Sequence, residues 1–448
     1  MGNTRKLRLA WCGVLPITER MEQTLSAYAA EVLLPHMRRE FEVELFHNSF
    51  EPYRDFATFH YLRLRDRHES DPFDICLYQI EDHPEAQYVR IASALLPGVS
   101  WFHNLYFSSH GPEPILNSAW RTTQARFGNR ALPWAVRRAE HEQDAPLGRR
   151  EATSCLVPIF SNERDIDEYQ RLIGCSLGGD RWSEQPSYYL PLPVSKELFA
   201  RSVHSQQRSS LSVLLCGGGR IEDRSHKVLA VLRELPDCHL RWVFPPDETT
   251  RVHALVEEFG LQNVSLFPEL SPKKWQEHLR EGDVAIHLSF SVFGQPGPYV
   301  WMSMAAGCPV LVTRFGASER IASHVVYHIP PGVEESKHVE LVLHALRDKK
   351  GVHHSEMVRG YAEEIFREEK IALELIAVLQ SLSSHPLYRE LLTEWREFQE
   401  EAQQALLQEV VEGSIPQELS LNESQVLQES FSRISRELGW DASGGSFV

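Results

Sequence analysis

Positive charge is scarce in this 448-residue chain: 46 Lys and Arg stand against 62 Asp and Glu, a formal net charge of −16. Non-specific nucleic-acid binding relies on Lys and Arg at phosphates, so that balance argues against it. It still leaves room for a local basic pocket. No apolar run approaches the roughly 18 residues of a membrane span, and the N-terminus has no signal-type apolar stretch; the expectation is no transmembrane segment and a cytoplasmic location. The seven cysteines are odd in number and form no C-x-x-C pair. Several sit in apolar runs, as inert buried thiols do in a reducing compartment. Neither H-E-x-x-H nor G-x-S-x-G occurs, which removes the sequence support for a zinc protease or a serine-hydrolase elbow. His324 and His328 are four apart, but HVVYHIPP reads as a strand, where they would not chelate as on a helix.

What the chain does have is a central stretch, Gly282 to Gly316, GDVAIHLSFSVFGQPGPYVWMSMAAGCPVLVTRFG. Asp283 to Leu288 is an apolar run of strand length. Phe293-Gly294 and Pro296-Gly297 follow as a loop whose backbone can pass close to a ligand. Pro298 suits a first helical position, and Gly307 closes a short buried helix. Cys308 to Thr313 is a second strand. Such a β-loop-α-β unit puts its loop at the carboxyl end of a parallel strand, where open α/β sheets bind ligands and helix N-termini favour anions.

Elsewhere the same logic gives two domains. Leu7 to Cys12, Phe41 to Phe46, Asp74 to Ile80, Pro97 to His103, Ser154 to Ser161 and Ser187 to Pro193 read as strands of the first, with a helix over 21–40. Ser210 to Cys216, His239 to Phe244 and Val264 to Phe267 open the second. The boundaries expected are 1–200 for the first domain, 201–355 for the second, 356–383 for helices crossing back, and 384–448 for an acidic helical extension with a frayed end. Residues 384–448 carry twelve acidic and four basic side chains on two amphipathic stripes, fit to lie on the body or on a protein partner and ill-suited to anionic lipid.

GDVAIHL, FGQPG, SMAAGCPVLVT and FGASE, in that order and spacing, resemble the donor half of retaining family 4 glycosyltransferases of GT-B fold. The chain departs from the pattern where Gln295 and Met302 stand in place of Glu. The resemblance implies an α/β fold of two Rossmann-like domains, their parallel sheets facing across a cleft, with a C-terminal helical extension. It implies a nucleotide-sugar donor, no metal and no cofactor.

The site residues follow from motif and resemblance together. Breaking a sugar–phosphate bond requires positive charge at the departing diphosphate. After Ser210 to Cys216 comes Gly217-Gly218-Gly219-Arg220, and Arg220 offers a planar donor fork. Lys227, displaced by a longer loop, and Arg224 compete for the second cationic role. Gly218, Gly219, Gly294 and Gly297 would let backbone approach the donor, and Gln295 would contact its hydroxyls. Glu319 would reach a ribose or cap the next helix. On the acceptor side, Thr24 lies in a loop that the family uses for close backbone approach. Glu81 and Asp82 would bind sugar hydroxyls or favour a helix N-terminus. His103, with Asn104 beside it, ends a strand near the cleft, where an imidazole titrating near neutrality suits an acceptor hydroxyl. The preferred reading is transfer of a sugar, with retention, to a glycan, lipid-linked or protein acceptor on the cytoplasmic side of cell-surface glycan or glycoconjugate synthesis. The alternative is a GT-B scaffold without catalysis that binds or stabilises a partner transferase.

Overall fold

The computed structural model describes residues 5–96, 98–105, 151, 155–176, 187–199, 210–289, 298–348, 352–386 and 388–389. Apolar strand-length runs separated by amphipathic stretches produce a β/α alternation. The first domain comprises β1 (Leu7–Cys12), α1 (Leu25–Glu40), β2 (Phe41–His47), β3 (Ala57–His60), α2 (Leu64–Ser70), β4 (Ile75–Ile80), α3 (Gln87–Leu95), β5 (Val99–Phe102), β6 (Val157–Phe160), α4 (Glu163–Ser176), β7 (Tyr188–Tyr189) and α5 (Lys196–Phe199). Among the described residues its seven strands pair in the order β3-β2-β1-β4-β5-β6-β7, and every pairing is parallel. Strands covered on both faces read as continuous hydrophobic runs rather than alternating ones. Accordingly, Leu9, Trp11, Leu45 and Leu77 face one core and Ala10, Cys12, Phe46 and Tyr78 the other.

The second domain repeats the plan. It comprises β8 (Leu211–Cys216), α6 (Ser225–Arg233), β9 (Cys238–Val243), α7 (Thr249–Phe259), β10 (Val264–Phe267), α8 (Pro272–His278), β11 (Val284–His287), α9 (Pro298–Ala305), β12 (Val310–Thr313), β13 (Tyr327–Ile329) and α10 (Glu335–Arg347). Its strands run β10-β9-β8-β11-β12-β13, again all parallel. Both sheets thus switch direction of growth beside their first strand, the point at which such sheets open a ligand crevice.

The amphipathic stretch 355–382 is two helices, α11 (Val352–Phe366) and α12 (Glu368–Ser384), with the break at Arg367. No proline or glycine makes it. Arg367 is extended (ψ 133°) and forms a one-residue parallel bridge with Val194, whose N–H donates to Phe366 O at 2.7 Å and whose carbonyl accepts from Glu368 N–H at 3.1 Å. On one side of that bridge Val358, Ala362 and Phe366 pack into the second domain's core. On the other, Ile371, Leu375 and Leu379 pack into the first. At Arg367 the chain therefore passes from the second domain's core back to the first's. Of the extension expected over 384–448, almost all lies outside the described residues.

Because all strands of a domain point the same way, their carboxyl ends form one edge. The two edges approach each other. Burial, then Cys216 and Glu81 after β4, push up the phenol of Tyr299 at the start of α9. Burial holds His83 down while Asp247 after β9 pulls weakly the other way, so groups of the two edges sense each other. Tyr28 of α1 takes a hydrogen bond from Ser195 N–H and belongs to the second domain's apolar cluster.

Candidate functional site

The first-domain edge is built around the start of α1. A helix begins with amides that have no partner within the helix. Here Thr24 is the N-cap, and its Oγ1 accepts from Ala27 N–H at 3.0 Å. The Glu81 carboxylate accepts from Leu25 N–H and Ser26 N–H, both at 2.9 Å. Thr24 and Glu81 are buried and engaged in closing this helix; the sequence offered Thr24 to an acceptor, and Glu81 to sugar hydroxyls or to a helix N-terminus. Glu81 does hold a helix N-terminus, but that of α1, 55 residues back, rather than the one that follows it. Burial pushes its carboxyl up to about 7, against the downward pull of the two amides. Asp82 is held at the next position, where its N–H donates to Asn104 Oδ1 at 3.2 Å. Gly13, just after β1, passes so close to Ser26 that an added Cβ would lie 2.9 Å from its Oγ.

His103 lies one strand along and is fully buried. Its Nε2 is 2.9 Å from the Gln79 amide and its Nδ1 3.2 Å from Ser161 Oγ. The Gln79 orientation that lets its oxygen accept from Trp11 Nε1–H also turns its NH₂ to His103 Nε2 and Ser26. The imidazole is then an acceptor at Nε2 and a donor at Nδ1. Burial lowers its pKa to about 3. Where the sequence suggests an imidazole titrating near neutrality, desolvation disfavours the charged form of this ring, inside a Trp11–Gln79–His103–Ser161 chain.

The second-domain edge is different. After β8, Gly217 has φ +115°, a backbone that only glycine adopts cheaply. Gly218 and Gly219 are small for packing reasons: a Cβ would lie 3.0 Å from Asp223 Oδ2 at the first and 3.0 Å from Leu255 Cδ1 at the second. Arg220 is about half exposed, and its Nε donates to Glu248 Oε1 at 2.7 Å. Arg224, in the left-handed region at φ 58°, donates from Nε to Glu335 Oε1 at 3.1 Å, and Glu335 is fully buried. Arg224 is therefore committed to α10, which weakens its claim to the second cationic role. Lys227 has no carboxylate partner among the described residues, and α6 carries no side-chain cap. Burial first, then the charges of Lys227 and Arg224, hold His226 below its ordinary value.

Glu319 lies in a 3₁₀ turn, 58% exposed and 4.0 Å from Arg314. Met302 is wholly buried in the second domain's core. Gly294, Gln295 and Gly297 lie outside the described residues. Glu248 and Glu335, the partners of the two arginines, gave no sequence signal, because they are 28 and 111 residues away. Asp223 had one: it stands three residues after Arg220, and its carboxylate accepts from Arg220 N–H at 3.2 Å. Among the described residues no group of three or more His, Cys, Asp or Glu side chains is placed to hold a metal, and no helix is long and apolar enough to cross a membrane.

The sequence matches no family model and no curated protein. Its structure is similar to solved ones. Sucrose-phosphate synthase from Thermosynechococcus elongatus superposes with a TM-score of 0.59 at 13% identity, covering 84% of this chain and 99% of that one. Anabaena HepE in complex with UDP-glucose gives 0.57 at 13% identity, covering 84% and 100%. WaaG, a glycosyltransferase involved in lipopolysaccharide biosynthesis, gives 0.54 at 16% identity, covering 83% and 99%. These likenesses establish the fold, two Rossmann-like domains in the GT-B arrangement, across nearly the whole length of those chains.

Proposed function

We propose that the protein is a glycosyltransferase that takes a sugar from a nucleotide-sugar donor, with the diphosphate held by the second domain. One contrast carries the reading. The helix after β1 has its amides closed by Glu81 and Thr24, whereas the helix after β8 has no side-chain cap and bears Lys227 without a counter-charge among the described residues. An anion is refused at the first, where a carboxylate already holds the amides, and at the second the Lys227 charge is left to favour one. HepE, whose fold this chain shares, was solved with UDP-glucose, which supports a uridine or similar donor.

In the reaction proposed, the bond between the anomeric carbon and the β-phosphate oxygen breaks, and its electron pair leaves with the nucleoside diphosphate. An acceptor hydroxyl oxygen bonds to the same carbon, and its proton ends on the departing diphosphate. Arg220 turns from Glu248 to the diphosphate, and Lys227 supplies the second charge. His103 takes no proton, since both ring nitrogens are already bonded inside the protein; it stiffens the wall of the cleft. Retention, a glycan, lipid-linked or protein acceptor, and a cytoplasmic setting belong to this reading by resemblance to family 4, with Gln295 in place of a donor-site carboxylate.

The pairing of Arg220 with Glu248 and of Arg224 with Glu335 favours a second reading, a GT-B scaffold that binds a partner transferase without turning over a donor. Calorimetry with a panel of UDP- and GDP-sugars, followed by a hydrolysis assay, separates the two. Binding of a donor with release of its diphosphate supports transfer; no heat from any of them supports the scaffold.

A further inference from the structure

Glu248 is shared between two arginines. It stands at the N-cap position of α7, where a carboxylate ordinarily accepts from the first amides of the helix, yet it makes no side-chain cap. The carboxylate is turned instead to the glycine turn after β8 and is buried, with 7% of the side chain exposed. Its Oε1 accepts from Arg220 Nε–H at 2.7 Å. The same oxygen takes a long bond, 3.5 Å, from Arg251 Nη1. Oε2 lies 3.1 Å from that nitrogen without hydrogen-bond alignment. One carboxylate thus holds a tight arginine and a loose one.

No motif in the sequence marks Arg251. It sits in the first turn of α7, where the helix dipole disfavours a cation, so the helix itself gains nothing from it. Its stem lies on the glycine turn. A Cβ at Gly219 would be 3.1 Å from Arg251 Cγ, and one at Gly218 would be 3.0 Å from Glu248 Cγ. Side chains at those two positions would wedge the turn away from the pair. Arg220 and Arg251 are each about half exposed, so both guanidinium groups reach solvent while the carboxylate between them does not.

When Arg220 moves to a diphosphate, Glu248 loses its tight partner. A buried carboxylate left without a cation is costly, and it would also repel the arriving phosphates. With Arg251 already in contact, neither penalty arises in full. We propose that Arg251 is a positioning residue for the donor: it closes on Glu248 as Arg220 turns away, so the buried carboxylate keeps a cation and Arg220 is free to move. What draws Arg220 away rests on the transfer reading above; the sharing of Glu248 does not.

The test is a double-variant cycle on the full-length protein, read by calorimetry with UDP and by hydrogen exchange of Arg220 Nε–H in nitrogen-resolved NMR. Arg251→Gln keeps much of the length and removes the charge; Glu248→Gln removes the need for any cation. We expect Arg251→Gln to pin Arg220, lowering UDP affinity about tenfold and slowing Nε–H exchange. Arg251→Lys, which keeps the charge, should stay within a few-fold of the parent. Adding Glu248→Gln to Arg251→Gln should restore UDP affinity to within a few-fold of the parent. Neither damage to the fold nor loss of a direct contact between Arg251 and phosphate would be repaired in that way. UDP affinity unchanged in Arg251→Gln, or lowered and not restored in the double variant, overturns the proposal. If the parent binds no UDP, the transfer reading fails by itself. Slower exchange in Arg251→Gln then still upholds the shared carboxylate, and unchanged exchange overturns it as well.

Discussion

The carboxylate of Glu81 holds the backbone amide of Ser26 at 2.9 Å, so the end of β4 supplies the anion for the start of α1. With Leu25 N–H on its other oxygen, Glu81 takes the position that a phosphate group would need there.

Glu81→Ala strands two buried amides and should lower stability by about 1–3 kcal/mol. The loss depends on pH. The folded-state value near 7 lies above the ordinary 4.5, so the folded chain holds this proton more tightly. Glu81's contribution is therefore greatest at low pH and declines as pH rises from about 4.5 through 7. Urea titrations should show a wider gap between parent and variant at pH 5 than at pH 8. A gap that widens with pH would contradict the environment described for this carboxyl.

His103 gives the opposite sign. Its folded-state value of about 3 lies below the ordinary 6.5, so its contribution is complete above 6.5 and is lost as pH falls toward 3. Nitrogen-resolved NMR of the imidazoles should show no titration of His103 between pH 5 and 8. An inflection near 6.5 would return it to the role of proton carrier that its place in the sequence suggests.

Arg220 and Arg224 should separate cleanly. Arg220 is half exposed on Glu248, so Arg220→Ala should cost at most about 1 kcal/mol of stability but about 10²-fold in turnover. Arg224→Ala leaves the fully buried Glu335 unpaired, which should cost about 3–5 kcal/mol. Its turnover, measured well below the melting temperature, should stay within a few-fold of the parent. Melting curves and donor hydrolysis read both. The reverse pattern would move the diphosphate from Arg220 to Arg224.

Arg320 ties the second domain to Glu163 and Asp167 of the first through exposed ion pairs. Arg320→Ser should leave stability within about 1 kcal/mol while letting the domains separate, seen as a larger radius of gyration by small-angle scattering. Added salt should enlarge the parent and leave the variant nearly unchanged. Equal radii in parent and variant at low salt would show that the apolar contacts of Tyr28 and Phe366 set the angle alone.

The fold was legible because its signals are local. LRLAWC, DICLYQI and SLSVLLC are continuous apolar runs of strand length, and the stretches between them have helical period, so two parallel sheets follow from pattern alone. Short β3 and α2 were missed, since Ala57–His60 is only partly buried and carries no apolar run. The glycine turn after β8 was legible for the same local reason: Gly217 needs its positive φ whatever surrounds it.

Tertiary structure decided the rest. Whether Glu81 meets a sugar or a helix, whether His103 can hold a proton, and which arginine remains available for an anion depend on groups 24 to 111 residues away and on the water excluded between them. The break at Arg367 belongs here too: nothing in EEIFREEKIA interrupts a helix, and only the bridge to Val194 draws that residue out. Local sequence fixes dihedral preference and period, which suffice to build each domain. Charge state and availability are set by desolvation and by partners that only the folded chain brings within hydrogen-bond distance.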